Sequence, residues 1–391
     1  MREVTEVHDQ YESVFDMRYA PEQRYQVRVR SDLFNPDCWD LWEPGTKQAD
    51  HRRHRFVLID EHVDRIIGDG IRAHLTAHDI TYEIETIPSG EEHKTLETVG
   101  YLLSRAMKFQ LLRRAEPIIV IGGGVTCDIA GVVASLLSKG TPYVVVPTTW
   151  VGMIDAGIAI KRAVNHEGKK NAIGAYHPAR AVTIVPSLLA TLPRDELRWG
   201  MAEVMKIAVI QDGPRLFEIL ESVDNLYDRL QHATPDGDPI AYEVLVRALR
   251  GMLSALRSNP HEDSLRRWVD FAHAVSGGWE LAALAEGRHF PHGQAVSCEI
   301  ALMVQLACQR GEFGPEDRDR VFTVMDSLEL PTWDPLMLDY ETLAKSLAGT
   351  ARHRDGKQHL PIPQTIGSGM FLEDVTVPEL RSSIEALTAA A

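Results

Sequence analysis

The strongest constraint on this chain is a repeating alternation between Arg55 and Trp150. Short strand-like runs, the apolar HRFVLID, EPIIVIGGG and TPYVVVPTTW and the more polar TYEIETIP, alternate with helix-length segments such as EHVDRIIGDGIRAHLTAHD, LETVGYLLSRAMKFQ and the apolar stretch DIAGVVASLLSKG. Strands alternating with helices of this length predict a mostly parallel sheet with helices on both faces. After Leu189 the texture changes. From Arg194 to about Leu347 almost every segment carries helical periodicity, most clearly RDELRWGMAEVMKIAVIQD, IAYEVLVRALRGMLSALRSN and QAVSCEIALMVQLACQR. The expectation is an α/β lobe over 1–190 followed by an all-α lobe over 191–391. Ahead of the alternation, RYQVRVRSDLF suits a further strand and NPDCWDLWEPG a loop.

Length agrees with that division, since 391 residues suggest about two domains of ~100–200 residues each. No apolar run reaches the ~18–20 residues of a membrane span, so no membrane partner is expected. The opening MREVTEVHDQYESVFD is too polar and acidic to be the core of a signal peptide. Cys38, Cys127, Cys298 and Cys308 form no CxxC pair and suit free thiols in a reducing compartment, so a cytoplasmic location is expected. A net charge of −15 argues against nucleic acid as a partner, though a local group of lysines can still hold a small phosphorylated substrate.

Three groups of residues carry chemistry. Gly122, Gly123 and Gly124 end a strand, and Asp128 lies early in the following helix, an arrangement that lets backbone N–H groups approach a pyrophosphate. Glu91 and Lys94 in SGEEHKT, and Thr148 and Thr149 in VPTTW, follow other strands, where an open α/β sheet places its ligand. A second group, DAGIAIKRAVNHEGKKNAIGAYHPAR, gathers Asp155, Lys161, Asn165, Lys169, Lys170 and Asn171, which suit phosphate and sugar hydroxyls. In the third, Glu203 and Lys206 are three apart and share a helical face, Asp270 and His273 repeat that spacing, and His292 precedes an apolar helix. Glu with two His is a common set for a catalytic Zn²⁺-type ion, but no spacing rule joins residues this far apart.

GGGVTCD, VPTTW, DAGIAIKRAVN, GKKNAIGAY, GMAEVMK, VDFAHAV and PHGQAV occur together in one order that resembles the sugar phosphate cyclase superfamily of 3-dehydroquinate synthase, over about residues 55–300. The resemblance implies a Rossmann-like α/β N-terminal lobe, an all-α C-terminal lobe and a homodimer. It puts Asp60, Glu91, Lys94, Gly123, Gly124, Asp128, Thr148, Thr149, Lys170 and Thr191 at positions for NAD. It puts Glu203, His273 and His292 on a divalent metal, Zn or Co. Asp155, Lys161, Asn171, Lys206, Asp270 and His353 then fall to the sugar phosphate substrate and its chemistry.

Departures from the pattern select a branch. The dehydroquinate synthases carry an NFGHxxGHAxE-like stretch, where this chain has Asp270 for Asn and Gly277 for the second His; Met252 falls where a substrate-binding Lys is expected. These changes, with YQVRVRSDLFNPD and RHRDGKQHLPIP, are similar to the branch that cyclises sedoheptulose 7-phosphate. Ala272 and the Gly277–Gly278 pair depart from that branch too, and suggest a helix break or a reshaped pocket. Lys139 stands where an Arg often reaches the partner's phosphate, and keeps the charge without the fork. The implied reaction is transient oxidation of a ring hydroxyl, loss of phosphate, re-reduction, ring opening and intramolecular aldol closure, with no net redox change. The expected product is 2-epi-5-epi-valiolone. The alternatives are 2-epi-valiolone, desmethyl-4-deoxygadusol or dehydroquinate, a glycerol-dehydrogenase-type oxidoreductase, or a non-catalytic sensor.

Overall fold

Buried β-branched runs organise the first half of the chain. In a computed structural model, which describes residues 2–8, 13–19, 24–34 and 53–390, the strands and helices come in the following order. A hairpin of β1 (Arg2–His8) and β2 (Ser13–Tyr19) precedes β3 (Gln26–Val29), β4 (His54–Asp60), α1 (Glu61–Ala77), β5 (Thr81–Ile87), α2 (Leu96–Phe109), β6 (Ile118–Gly122), α3 (Gly124–Leu136) and β7 (Tyr143–Pro147). Next come β8 (Lys161–His166), β9 (Lys169–Tyr176) and β10 (Ala181–Ile184). Six strands form one parallel sheet in the order β3-β10-β7-β6-β4-β5. β6, β7 and β10 are buried at every residue, as unbroken apolar sequences require. The chain leaves β4 in one direction for β5 and returns to the other side for β6. The carboxyl ends of β4 and β6 therefore border the crevice where such sheets bind ligands.

The expected strand in RYQVRVRSDLF is β3, at the sheet edge. The whole of NPDCWDLWEPG, residues 35–45 including Cys38, lies outside the described residues. The polar segment around Lys161–Asn171 is a β-hairpin, β8 with β9, rather than a loop. Its two-residue turn, Glu167 (φ 46°) and Gly168 (φ 71°), has the positive φ at both positions that matches strand twist.

The second half contains α4 (Arg194–Ile210), α5 (Pro214–Ser222), α6 (Leu226–Leu230), α7 (Pro239–Ser258), α8 (Ser276–Ala285), α9 (His292–Gln309), α10 (Pro315–Ser327) and α11 (Tyr340–His353). A hairpin, β11 (Leu360–Thr365) with β12 (Ser368–Leu372), and α12 (Val377–Ala390) complete it, so this region is helical apart from one two-stranded ribbon. α9 is apolar all round and buried along most of its length, because α4, α8, α12 and β11 pack around it. Sheet and helices share one continuous apolar core.

Two expectations need correction here. Asp270 and His273 do not share a helical face. Asp270 ends a short 3₁₀ turn over Trp268–Asp270, and Ala272 takes a left-handed conformation (φ 60°), which redirects the chain before His273. Nor do Gly277 and Gly278 break a helix, since both lie in the first turn of α8. A Cβ on Gly277 would meet open space, whereas one on Gly278 would lie 2.0 Å from Ser346 Oγ. Gly278 thus permits close packing of α8 against α11.

Candidate active site

On the sheet side the site is built from loops at strand ends. Gly123 caps α3 without a side chain, so the first N–H groups of the helix meet no side-chain acceptor of the cap. Thr148 donates its backbone N–H to Gly122 O (3.0 Å), and its buried Oγ1 lacks a hydrogen-bond partner. A Cβ on Gly123 would come within 3.0 Å of Thr149 Cγ2, so the glycine allows β6 and β7 to converge there. Asp60, at the end of β4, accepts hydrogen bonds from His62 N, Val63 N and Ser89 Oγ and faces Thr126 Oγ1 at 3.4 Å. An uncapped helix start beside an unpartnered buried hydroxyl fits the pyrophosphate of a dinucleotide.

The lysines are tied to this loop cluster. Lys94 Nζ lies 2.6 Å from Asp128 Oδ2 and donates to Asn171 Oδ1 (2.7 Å). Asn165 Nδ2 donates to Glu91 Oε1 (2.9 Å), and its Oδ1 accepts from Asn171 N. Arg162, fully buried, donates to Tyr143 Oη (3.0 Å), Ala156 O and Gly157 O, and lies 3.7 Å from Asp128. It thereby fixes the π-turn of Gly152–Ala156 that presents Asp155. A Cβ on Gly131 would overlap the Arg162 side chain at 2.4 Å, so that glycine makes room for the guanidinium.

On the helical side, among the described residues, Glu203, His273 and His292 form one group whose ligand atoms all lie within 4.8 Å of one another. Glu203 Oε2 pairs with Lys206 Nζ at 2.6 Å, one helical turn on, and Lys206 also donates to Val269 O (3.2 Å). Glu203 Oε1 faces His292 Nε2 at 3.4 Å and His273 Nε2 at 3.6 Å. Each histidine commits its Nδ1 elsewhere, His273 to Phe271 O (3.0 Å) and His292 to Glu280 Oε1 (2.9 Å). Both Nε2 atoms are thus turned toward one carboxylate oxygen. Ligands about 2.1 Å from a tetrahedral ion lie roughly 3.4 Å apart, so this spacing fits a Zn²⁺-sized cation.

The electrostatics fit the same ion. Burial opposes the Glu203 charge, yet Lys206 and the two histidines hold its carboxyl well below the usual range. Burial, with the Lys206 ammonium, pushes His273 down to about 4. Burial acts on His292 in the same direction, but the Glu280 and Glu203 carboxylates outweigh it and push the imidazole up to about 10. The pocket therefore demands positive charge, and Lys206 and the His292 proton supply it before any metal does.

The remaining expected residues are placed unequally. Lys161 reaches from β8 across to Glu262 Oε1 (3.1 Å), and Tyr176 Oη donates to Glu262 Oε2 (3.3 Å). Asp270 is buried with its Oδ2 held by Arg267 (2.8 Å) and Arg354 (2.7 Å). His353 is exposed at the end of α11; it is its neighbour Arg354 that meets Asp270. Thr191 is exposed, and its hydroxyl donates to Leu188 O (2.7 Å). Met252 is buried in α7, and Lys139 is exposed just after α3.

Sequence reasoning missed several carboxylates and arginines. Glu299 is fully buried on α9 and accepts hydrogen bonds from Ala274 N (2.7 Å), Val275 N (3.0 Å) and Ser276 N (2.6 Å). It pins the segment that carries His273. Its one signal was a position seven residues after His292, two turns along the same face. Glu280 joins His292 to Lys170 Nζ (2.6 Å) and lies within the 270–280 stretch already singled out. Glu262 gave no signal, because its partners Lys161 and Tyr176 reach it only through the fold; Arg267 stands three residues before Asp270, and Arg354 lies in RHRDGKQHLPIP beside the His353 that was chosen instead.

Comparison with known proteins agrees with this geometry. The chain matches the 3-dehydroquinate synthase N-terminal family over residues 84–199 and the 3-dehydroquinate synthase C-terminal family over residues 200–352. It belongs to the 3-dehydroquinate synthase family. It is 43% identical over 377 residues to a 2-epi-5-epi-valiolone synthase of Actinoplanes sp., an alignment covering 96% of this chain and 93% of that protein. A 2-epi-5-epi-valiolone synthase of Streptomyces albus is 41% identical over 369 residues, 94% of this chain and 89% of the relative. The fold superposes with a TM-score of 0.86 on ValA, the 2-epi-5-epi-valiolone synthase of Streptomyces hygroscopicus subsp. jinggangensis, solved with NAD⁺ and Zn²⁺ bound. That structure is 38% identical, with 96% of this chain and 99% of that one covered.

Proposed function

We propose that this chain is an NAD- and metal-dependent cyclase that converts sedoheptulose 7-phosphate to the seven-carbon cyclitol 2-epi-5-epi-valiolone. The observation that carries the reading is the Glu203–His273–His292 group with Lys206 at its edge, set on a chain about two-fifths identical over nearly its whole length to synthases of that product. Residues 1–190 serve as the cofactor unit and 191–391 as the metal and substrate unit. Asp60, Glu91, Lys94, Gly123, Gly124, Asp128, Thr148, Thr149, Lys170 and Thr191 line the cofactor side.

Bound NAD⁺ would supply a reversible hydride acceptor, and a divalent ion held by Glu203, His273 and His292 a Lewis acid for the oxygen being oxidised. The chain's own residues do the rest. Lys206, buried against Glu203, holds positive charge beside the oxygen that becomes anionic. Lys161 and Asn171, on neighbouring strands of one hairpin, bind the phosphate and a ring hydroxyl. Asp155, on the π-turn that Arg162 holds, accepts from a second hydroxyl. Asp270 has Oδ2 saturated by two arginines, which orients Oδ1 as the acceptor for a third. Met252 puts a thioether where a cationic residue would favour a carboxylated substrate, which agrees with a substrate lacking that group.

The same reading makes the protein a cytoplasmic homodimer. Cys127, Cys298 and Cys308 are free thiols, which supports a reducing compartment. Leu112 and Leu136 expose apolar side chains, Leu136 three residues before Lys139 and Leu112 beside the Arg113 that reaches the Lys139 carbonyl, which supports a second copy against that surface. Among the described residues, no helix is long and apolar enough to cross a membrane. The test is the NMR spectrum of the product from sedoheptulose 7-phosphate. 2-epi-5-epi-valiolone supports the proposal, and a different carbocycle, or no carbocycle, overturns it.

A further inference from the structure

Glu280 touches both halves of the molecule. One oxygen accepts from Lys170 Nζ on β9 at 2.6 Å, and the other meets His292 Nδ1 at 2.9 Å. Lys170 also lies 3.8 Å from Glu91, the loop carboxylate that receives Asn165 Nδ2. An unbroken polar chain therefore runs from the loop after β5 through Lys170, Glu280 and His292 to Glu203. The Glu280 side chain is nine-tenths buried, so its contacts are shielded from water. Its helix has little freedom to move: Gly278 brings α8 into close contact with Ser346, and Glu299 holds the backbone N–H groups at the helix start.

We infer that Glu280 is a positioning residue that links the two binding sites, so that occupation of the cofactor loops tightens metal binding. The link rests on the function proposed above, since it takes the Lys170 side as the cofactor side. Ordering the β8–β9 hairpin fixes Lys170, which fixes the Glu280 carboxylate. The carboxylate in turn fixes the ring orientation that leaves His292 Nε2 facing Glu203. A coupling of this kind is reciprocal, so metal tightens the dinucleotide by the same factor.

The experiment titrates Co²⁺ into metal-stripped full-length protein, with and without saturating NAD⁺, following the visible absorption of the bound ion. For the unmodified protein the Co²⁺ affinity should rise about tenfold with NAD⁺, within the usual range of such couplings. Glu280→Gln should bind Co²⁺ more weakly, with an altered spectrum and a coupling below about twofold. Lys170→Met, at saturating NAD⁺, should lose the coupling while keeping the spectrum. Equal melting temperatures of the metal-free proteins separate these effects from misfolding. Equal Co²⁺ affinity with and without NAD⁺ in the unmodified protein, or full coupling in Glu280→Gln, overturns the inference. Turnover of sedoheptulose 7-phosphate is scored separately, so a failed coupling leaves the proposed reaction standing and the reverse.

Discussion

The two sides of the cleft are built on opposite principles. On the sheet side the glycine loop offers backbone, with an uncapped helix start, glycines that admit close approach and hydroxyls at strand ends, beside the Lys94–Asp128–Asn171 side-chain cluster. On the helical side it is made of side chains, held by buried carboxylates on neighbouring elements. The first should fail when a Cβ is added to its glycine loop. The second should tolerate small backbone changes and fail when one carboxylate is neutralised.

The largest expected effect comes from Glu203→Gln. It removes the one charged ligand and leaves Lys206 buried without its partner. Lewis-acid stabilisation of several kcal/mol should be lost, a fall in kcat of about a thousandfold, with the metal absent on elemental analysis. NAD⁺ should still bind, weakened only by the loss of coupling. Next is Glu299→Leu, which strands three backbone N–H groups in the core. Chemical denaturation should show a loss of about 3 kcal/mol, since each unsatisfied group costs roughly 1–3 kcal/mol and the segment can relax in part. Gly123→Val places a branched side chain against Thr149. Overpacking of about 1–3 kcal/mol should appear as a tenfold to hundredfold weaker NAD⁺ affinity, with metal content unchanged. The smallest effect, and the only stabilising one, is Ala272→Gly. Relief of the left-handed strain, less the entropy cost of glycine, should add about 0.5–1 kcal/mol in the same denaturation measurement.

The same contrast explains what could be read from the sequence. The parallel sheet, the glycine loop and the helices α4, α7 and α9 were legible because each is written locally, in unbroken apolar runs or in a 3.6-residue period. The β11–β12 ribbon was hidden because Pro361 and Pro363 argue against a strand, and a ribbon outside the main sheet can accommodate them. Asp270 and His273 looked helical because the spacing of three fits a helix, yet a left-handed Ala272 stands between them. A left-handed alanine leaves no mark in periodicity. Glu280 and Glu299 were hard to read for a different reason. A buried carboxylate shows its purpose only when the N–H groups it receives are brought to it from another element.

The central claim is a redox cycle that closes on itself at a site shared by the two halves. The most direct test mixes the purified, metal-loaded protein with a trace of NAD⁺ and an excess of sedoheptulose 7-phosphate, and follows inorganic phosphate and NADH absorbance together. The account predicts phosphate release far beyond the amount of NAD⁺ supplied, with no lasting rise in NADH. Phosphate release that stops at one equivalent of NAD⁺ while NADH accumulates would contradict it.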